Sequence, residues 1–311
     1  MSDPVFSVVS VYNDKELLEE WLLDSLEYQS TCEFETVTVD NTKEQFDTAP
    51  AALNYGANSA DGEYIVFVHQ DVRLLTERWF EKAKEYLDDL PDCGIAGVAG
   101  KDENGKHKNV IYHGKSPGES QYSLPPKLTD PYKQPKISEH WSEINRDEIL
   151  QILPEKDLVH PIGNLINSPE TAQTLDELLV IIPSSVFEQE QFDSRLCDGW
   201  HLYALEYCLR IKYCTEFEVY ALPLPVWHYS TGPLDKEFYR ILMKITETYQ
   251  NCTNISQIHA TTGDWPMDPQ LIEINRRRSI LSFIQYGIKN PIHTYKYIKN
   301  KFQNSIPAVD K

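Results

Sequence analysis

No two of the six cysteines stand at CxxC spacing, and none is spaced from a histidine as a zinc site would require. A zinc module is therefore excluded, and Cys32, Cys93, Cys197, Cys208, Cys214 and Cys252 read as reduced, mostly buried thiols of an intracellular protein. No apolar run approaches the roughly 18 residues that cross a bilayer, and Met1-Ser2-Asp3-Pro4 lacks the basic region of a signal peptide. The expected location is cytoplasmic. Basic charge is scarce too: 29 Lys or Arg face 48 Asp or Glu, for a net charge of −19. That is the wrong sign for neutralising phosphates, so no nucleic-acid partner is expected. The 13 glycines nowhere form GxGxxG, which argues against a dinucleotide fingerprint, and there is no internal repeat.

What is present is a large potential core, since 41% of the 311 residues are hydrophobic, enough for one large domain or two. Phe6-Ser7-Val8-Val9-Ser10-Val11-Tyr12 reads as a buried strand. Asn13-Asp14 then supplies an N-cap for a helix over 15–28, in which Leu17, Leu18, Trp21, Leu22 and Leu26 recur at helical spacing. Thr36-Val37-Thr38-Val39 is a second strand ending in Asp40-Asn41-Thr42. A helix over 52–60 passes through the turn Asp61-Gly62 into Tyr64-Ile65-Val66-Phe67-Val68-His69-Gln70-Asp71-Val72. This run closes on an imidazole, an amide and a carboxylate. Ligands of open α/β sheets bind at the carboxyl ends of strands, so His69 and Asp71 are presented to a site.

The β-α-β-α-β order predicts a parallel sheet wound with helices. A helix over 77–90 and a strand over 94–100 follow. Residues 101–172 are polar and Pro-rich, and an excursion of that length is usually functional or mobile. Regular structure resumes with a strand over 178–182, a helix over 199–212 and a strand over 218–222. Beyond Asp235 the chain reads as helical, with a polar break at 251–268. Residues 236–311 hold eleven Lys or Arg against six Asp or Glu, so the tail is basic where the rest is acidic.

Taken in order, Asn13-Asp14, Asp40-Asn41, Asn54-Tyr55-Gly56-Ala57-Asn58 and Gly62 through Asp71 resemble the nucleotide-sugar half of family 2 glycosyltransferases. The His-Gln-Asp form is similar to the subgroup named after streptomycin biosynthesis. Leu175-Asp176-Glu177, Phe192-Asp193, Asp198-Gly199-Trp200-His201-Leu202-Tyr203 and Pro225-Val226-Trp227-His228-Tyr229-Ser230 continue the resemblance to about 230. It implies a GT-A-like α/β nucleotide-binding sandwich over 1–235, with a mostly parallel central sheet. The nucleotide-sugar half would be about 1–100 and the acceptor half about 101–235, with 236–311 a helical, basic C-terminal extension.

The resemblance also implies roles. Asp71 would anchor the donor diphosphate through Mn2+ or Mg2+, with His69 in the place of the family's first acid and His228 as a late metal-facing histidine. Gln70 adds no charge to the donor site. Asp40 would receive the nucleobase edge, Asn13 and Asp14 would loop over base and ribose, and Asn54, Gly56 and Asn58 would line the pocket. Simpler readings stand beside these: Asp14 as a helix cap, Gly56 as a close-packing residue, His228 as a core histidine. Asp176 and Trp200 would meet the acceptor.

An inverting transfer needs a base, and counting back from Arg210 the family's usual acid falls on Ala204. Asp198 and Glu206 are the substitutes. Glu206, about 200° around the helix from the vacant position, would face away, which favours Asp198 unless it only caps the helix. His201 would serve acceptor or phosphate.

The tail, Arg276-Arg277-Arg278 with Ile280, Leu281, Phe283, Ile284, Lys289, Lys296, Lys299 and Lys301, could lay an amphipathic helix on an anionic membrane surface, suiting a lipid-linked acceptor. A helical cap with its charges in water is the favoured alternative. The expected activity is transfer from a nucleoside-diphosphate sugar to a hydroxyl of a glycan or lipid-linked acceptor. The competing readings are a catalytically silent sugar-nucleotide or glycan-binding module and a nucleotidyltransferase. Residues 6–20 lack the Gly-rich basic cradle that the last of these needs.

Overall fold

The computed structural model describes residues 4–29, 32–113, 160–229, 234–251 and 253–278. Strand β1 (Phe6–Tyr12) leads into α1 (Lys15–Leu18), where Asp14 accepts from the Leu17 N–H at 3.1 Å. The helix expected over 15–28 continues as a π-helical segment (Glu19–Leu23) and then α2 (Asp24–Glu27). Within that segment the Glu20 carbonyl also accepts from the Arg73 guanidinium at 3.2 Å. There follow β2 (Phe34–Asp40), α3 (Ala49–Ala57), β3 (Tyr64–Val68), β4 (Val72–Leu74), α4 (Trp79–Asp88) and β5 (Cys93–Gly97).

The second half contributes β6 (Gly100–Lys101), β7 (His107–His113), β8 (His160–Asn164), β9 (Glu170–Thr171), β10 (Thr174–Leu175) and β11 (Leu179–Pro183). Then come α5 (Ser184–Phe187), α6 (Tyr203–Cys214), β12 (Glu218–Ala221), β13 (Val226–His228), α7 (Lys236–Tyr249), β14 (Gln257–Ala260) and β15 (Gly263–Pro266). The central sheet has the order β2-β1-β3-β11-β5-β12-β9, and within it only β11 and β9 run against the common direction. It is the mixed α/β, mostly parallel architecture expected.

Period-two alternation explains why β3 reads as an unbroken apolar run. Ile65 and Phe67 join one core with Phe187, Phe192, Tyr203 and Tyr207, while Tyr64, Val66 and Val68 join another with Leu22, Trp79 and Phe80. Both faces of the sheet are covered, as parallel sheets require. On the first face α3 approaches closely at Gly56, where a Cβ would lie 2.7 Å from Val9 Cγ1.

A second sheet, β10-β6-β7-β13-β4 with β8 on β7, was not legible in the polar 101–172 region. Asn109 ties it to the first sheet. Held at φ 63°, it donates from Nδ2 to the carbonyls of Val98 (2.8 Å), Leu222 (2.9 Å) and Leu224 (3.2 Å).

The expected helical extension is instead helix plus hairpin, and both belong to the main domain. Phe238, Ile241, Leu242 and Ile245 of α7, with Ile258 and Ala260 of β14, share one core with Tyr207 and Leu209 of α6. Hairpin β14–β15 is fastened by the His259 N–H to Gln173 Oε1 (2.6 Å) and by Lys101 to Asp264 (3.0 Å). The chain is again helical over 269–278. The membrane-surface reading of the tail concerns residues that lie, after Arg278, outside the described residues. Arg276 and Arg277 pair with Glu273. No described helix is long and apolar enough to cross a membrane, and every described cysteine is a free thiol.

Candidate functional site

The site forms where β3 hands the chain to the second sheet. His69 donates its N–H to the Leu178 carbonyl at 2.9 Å, and the Val72 N–H returns to the His69 carbonyl at 3.2 Å. That turn brings Asp71 beside β4, and β13, antiparallel to β4, sets His228 opposite Val72. One donor atom from each of His69, Asp71 and His228 lies within 4.8 Å of the others. His228 Nε2 is 3.3 Å from Asp71 Oδ1.

Burial works against a cation on His228, but the Asp71 hydrogen bond and charge, with Asp176 behind them, outweigh it and raise the pKa. Burial and then the His228 charge lower that of His69.

Tyr203 settles which nitrogen of His69 is available. Its hydroxyl donates to the Glu177 carbonyl at 3.0 Å and lies 3.1 Å from His69 Nε2. One hydroxyl proton cannot serve both, so Nε2–H donates to Tyr203 and Nδ1 keeps its lone pair. Two imidazoles and one carboxylate form a ligand set that a first-row transition-metal dication accepts more readily than Mg2+, which favours carboxylates and water.

The larger cleft, 730 Å³, lies at the carboxyl ends of β1, β2 and β3. Tyr12 and Asn13 line it from β1, Asn41, Thr42 and Phe46 from the loop after β2, and His69, Gln70 and Asp71 from β3, with Trp200 and Tyr203 from the second half. Gln70 acts as a brace. Its Oε1 accepts the N–H groups of Asn13 and Asp14 at 3.0 Å each, and its Nε2 donates to Asn13 Oδ1 at 2.7 Å.

Several expected donor residues are not brought to this cleft. Asp14 caps α1. Asp40 accepts from the Thr42 hydroxyl (2.7 Å) and N–H (2.8 Å), which hold its carboxyl below the usual range, and its neighbours Asn41 and Thr42 line the cleft in its place. Asn54 pairs both ways with the Phe192 backbone, at 2.9 and 3.2 Å. Gly56 serves close packing on Val9 and Val39, and Asn58 caps the end of α3. The helix turns Ala49 and Leu53 to the cleft instead.

A second cavity of 220 Å³ shares His69 with the first and adds His228, Asp176, Glu177 and His201. The hairpin closes it with Thr261, whose hydroxyl donates to Asp176 Oδ2 at 2.6 Å, while Asp176 Oδ1 accepts the Leu178 N–H at 3.2 Å. His201 packs edge-on against Phe238, with Nε2 3.6 Å from Asp235. Trp200, expected at the acceptor, lies in the larger cleft and is 40% exposed.

Neither expected base reaches either cavity. Asp198 bridges Arg240 and Lys244 of α7, and those cations hold its carboxyl below the usual range despite partial burial. Glu206 is 1% exposed and accepts from Arg210 (3.0 Å) and the Tyr249 hydroxyl (2.5 Å).

Glu177 is the acid that residue patterns missed. It lines the smaller cavity, and burial with the Asp176 charge pushes its pKa up to about 8, against hydrogen bonds from the N–H groups of Leu202 and Tyr203. Its adjacency to Asp176 was visible in the sequence, but its desolvation was not.

No curated protein matches the chain. Among solved structures, similar folds include the mannosyltransferase PcManGT from Pyrobaculum calidifontis in complex with GDP-Man and Mn2+, 13% identical, with a TM-score of 0.48 over 82% of this chain and 66% of that one. S. aureus TarS 1-349 is 16% identical, with a TM-score of 0.43 over 79% of this chain and 66% of that one. The chain thus spans 66% of the length of each. The model of the glycosyltransferase like family matches residues 7–227, from the first strand to the residue before His228, and the chain belongs to that family.

Proposed function

We propose that the protein transfers a sugar from a nucleoside-diphosphate sugar to an acceptor hydroxyl, with a divalent cation of the Mn2+ type held by His69, Asp71 and His228. The observation that carries this reading is the placement of the triad between two cavities. His69 lines both, Asp71 lines the 730 Å³ cleft and His228 the 220 Å³ cavity.

The donor fits the larger cleft, where Phe46 and Trp200 offer aromatic surface and the Gln70 brace holds Asn13 in place. The smaller cavity takes the acceptor hydroxyl, of a glycan or a lipid-linked sugar. When bound, the cation supplies positive charge to the departing diphosphate. Tyr203 holds His69 in the tautomer that presents Nδ1, and Asp71 sets the ring of His228. Separate cavities for donor and acceptor suit a single displacement with inversion. The His-Gln-Asp form supports, on this reading, a likeness to the streptomycin-biosynthesis subgroup.

The test is release of nucleoside diphosphate from a panel of nucleotide sugars with Mn2+, in wild type and Asp71→Ala. Metal-dependent release by wild type, reduced at least about 100-fold in the variant, is expected for loss of the charge that stabilises the leaving group. A protein that binds donor and releases nothing with any acceptor would instead be a binding module.

A further inference from the structure

We propose that the β14–β15 hairpin selects the acceptor, with Thr261 the positioning residue that aims Asp176 at a hydroxyl of one sugar ring seated in the smaller cavity. This deepens the sugar-transfer reading above and rests on it.

The cavity has the mixed character that a sugar ring requires. Leu175, Leu205, Phe238 and Ala260 give it an apolar wall, against which the C–H face of a pyranose can pack. Asp176, Thr261 and Thr262 supply polar groups beside the imidazoles of the metal triad. Phe238, Ala260 and both threonines lie beyond residue 227, where the match to the family model ends.

The backbone places Asp176. Its N–H donates to the Ala99 carbonyl at 2.9 Å, and its Oδ1 accepts the Leu178 N–H at 3.2 Å. The Leu178 carbonyl in turn takes the His69 N–H at 2.9 Å, so one turn ties the carboxylate to the metal histidine. Thr261 fixes the other oxygen, donating to Oδ2 at 2.6 Å. Having spent its proton there, the Thr261 hydroxyl turns only lone pairs to the cavity, as the carboxylate does. Acceptors without a donor suit a ligand that brings O–H groups, and they repel an anionic one.

The hairpin is built to hold Thr261 in place. Thr261 and Thr262 alone join its strands, since Ala260 pairs with Gly263, and a turn of that length leaves little slack. At its base the His259 N–H goes to Gln173 at 2.6 Å, and the His259 carbonyl accepts from Thr174 at 2.5 Å. Both partners are buried, in the stretch that leads to Asp176. Lys101 adds its pairing with Asp264, which also stands 2.9 Å from His259 Nδ1.

Thr261→Val tests the proposal, because it keeps the β-branched shape and removes the donor. The full chain, with Mn2+ and GDP or UDP present, would be titrated with the methyl glycosides of mannose, glucose, galactose and N-acetylglucosamine. Saturation-transfer NMR reads the bound sugar. Wild type should bind at least one glycoside, and Thr261→Val should bind it about 10–100-fold more weakly, the range for a lost hydrogen bond to a charged group. Nucleotide affinity and Tm should stay near wild type, and Thr261→Ser should restore most of the sugar affinity. Since Thr261 acts through Asp176, the double variant should bind no more weakly than Asp176→Asn alone.

Equal glycoside binding by wild type and Thr261→Val would overturn the proposal. So would a loss of nucleotide affinity and Tm in step with the sugar, which a merely structural threonine would produce. A wild type that releases nucleoside diphosphate from GDP-mannose, UDP-GlcNAc or UDP-glucose, yet binds no glycoside, would overturn it and leave sugar transfer standing. A wild type that binds none of those donors would defeat the sugar-transfer reading itself, and the proposal with it.

Discussion

Tyr203 shows how one side chain can set the chemistry of another. Its hydroxyl spends its proton on the Glu177 carbonyl and must accept from His69, so it fixes the imidazole that would meet the metal. Tyr203→Phe keeps the ring and loses that control, and Mn2+ affinity measured by calorimetry should fall about 10–100-fold.

Glu177 predicts a pH signature in stability. Its folded pKa, about 8, lies above the ordinary glutamate value, so the folded state binds more protons than the unfolded state between roughly pH 4.5 and 8. Stability therefore declines as pH rises through that window, by at most about 4–5 kcal/mol on linkage grounds. Glu177→Gln should flatten the decline, giving a Tm gain over wild type at pH 8.5 that is absent at pH 4.5. At this scale the three side chains that the structure brings together are legible in two ways, His69 and Asp71 as a polar strand end, which is a local pattern, and His228 only through the family resemblance. The sequence concealed Glu177, whose character comes from what the fold packs around it, and it left open that Asp198 would be spent on Arg240 and Lys244.

Elements explain the remaining misplacements. In α3 the same amphipathic spacing serves a helix lining a pocket and a helix packed on a sheet. Only the structure shows that Gly56 meets Val9 and Val39 and that Asn54 is consumed by the Phe192 backbone. The second sheet was hidden because β4, β6, β10 and β13 are two or three residues long, too short for alternation to register. Yet that sheet carries His228 to Asp71 and is held to the first by the Nδ2 of Asn109. Asn109→Ala leaves three buried carbonyls without that donor. Urea unfolding should show a loss of about 1–3 kcal/mol from those carbonyls, and alanine, which tolerates the left-handed backbone less well than asparagine, adds to it.

For the whole molecule, the chain from 236 to 266 completes both the core and the smaller cavity. The basic composition of the tail suggested a separate extension; the apolar stripe of α7 and the Thr261 contact with Asp176 show otherwise. A chain ending at 235 would expose the α6 surface that Phe238, Ile241 and Ile245 cover, and it should lose the cooperative urea transition of the full chain.

The central claim is that two histidines and one aspartate hold a cation whose remaining positions belong to a donor diphosphate. Mn2+ binding, followed by electron paramagnetic resonance with and without GDP or UDP, tests it most directly. Wild type should bind Mn2+ weakly alone and at least about tenfold more tightly with nucleotide, since each ligand stabilises the state that binds the other. Asp71→Ala should lose that gain. Equal Mn2+ binding by wild type and Asp71→Ala, with nucleotide present, would contradict the account.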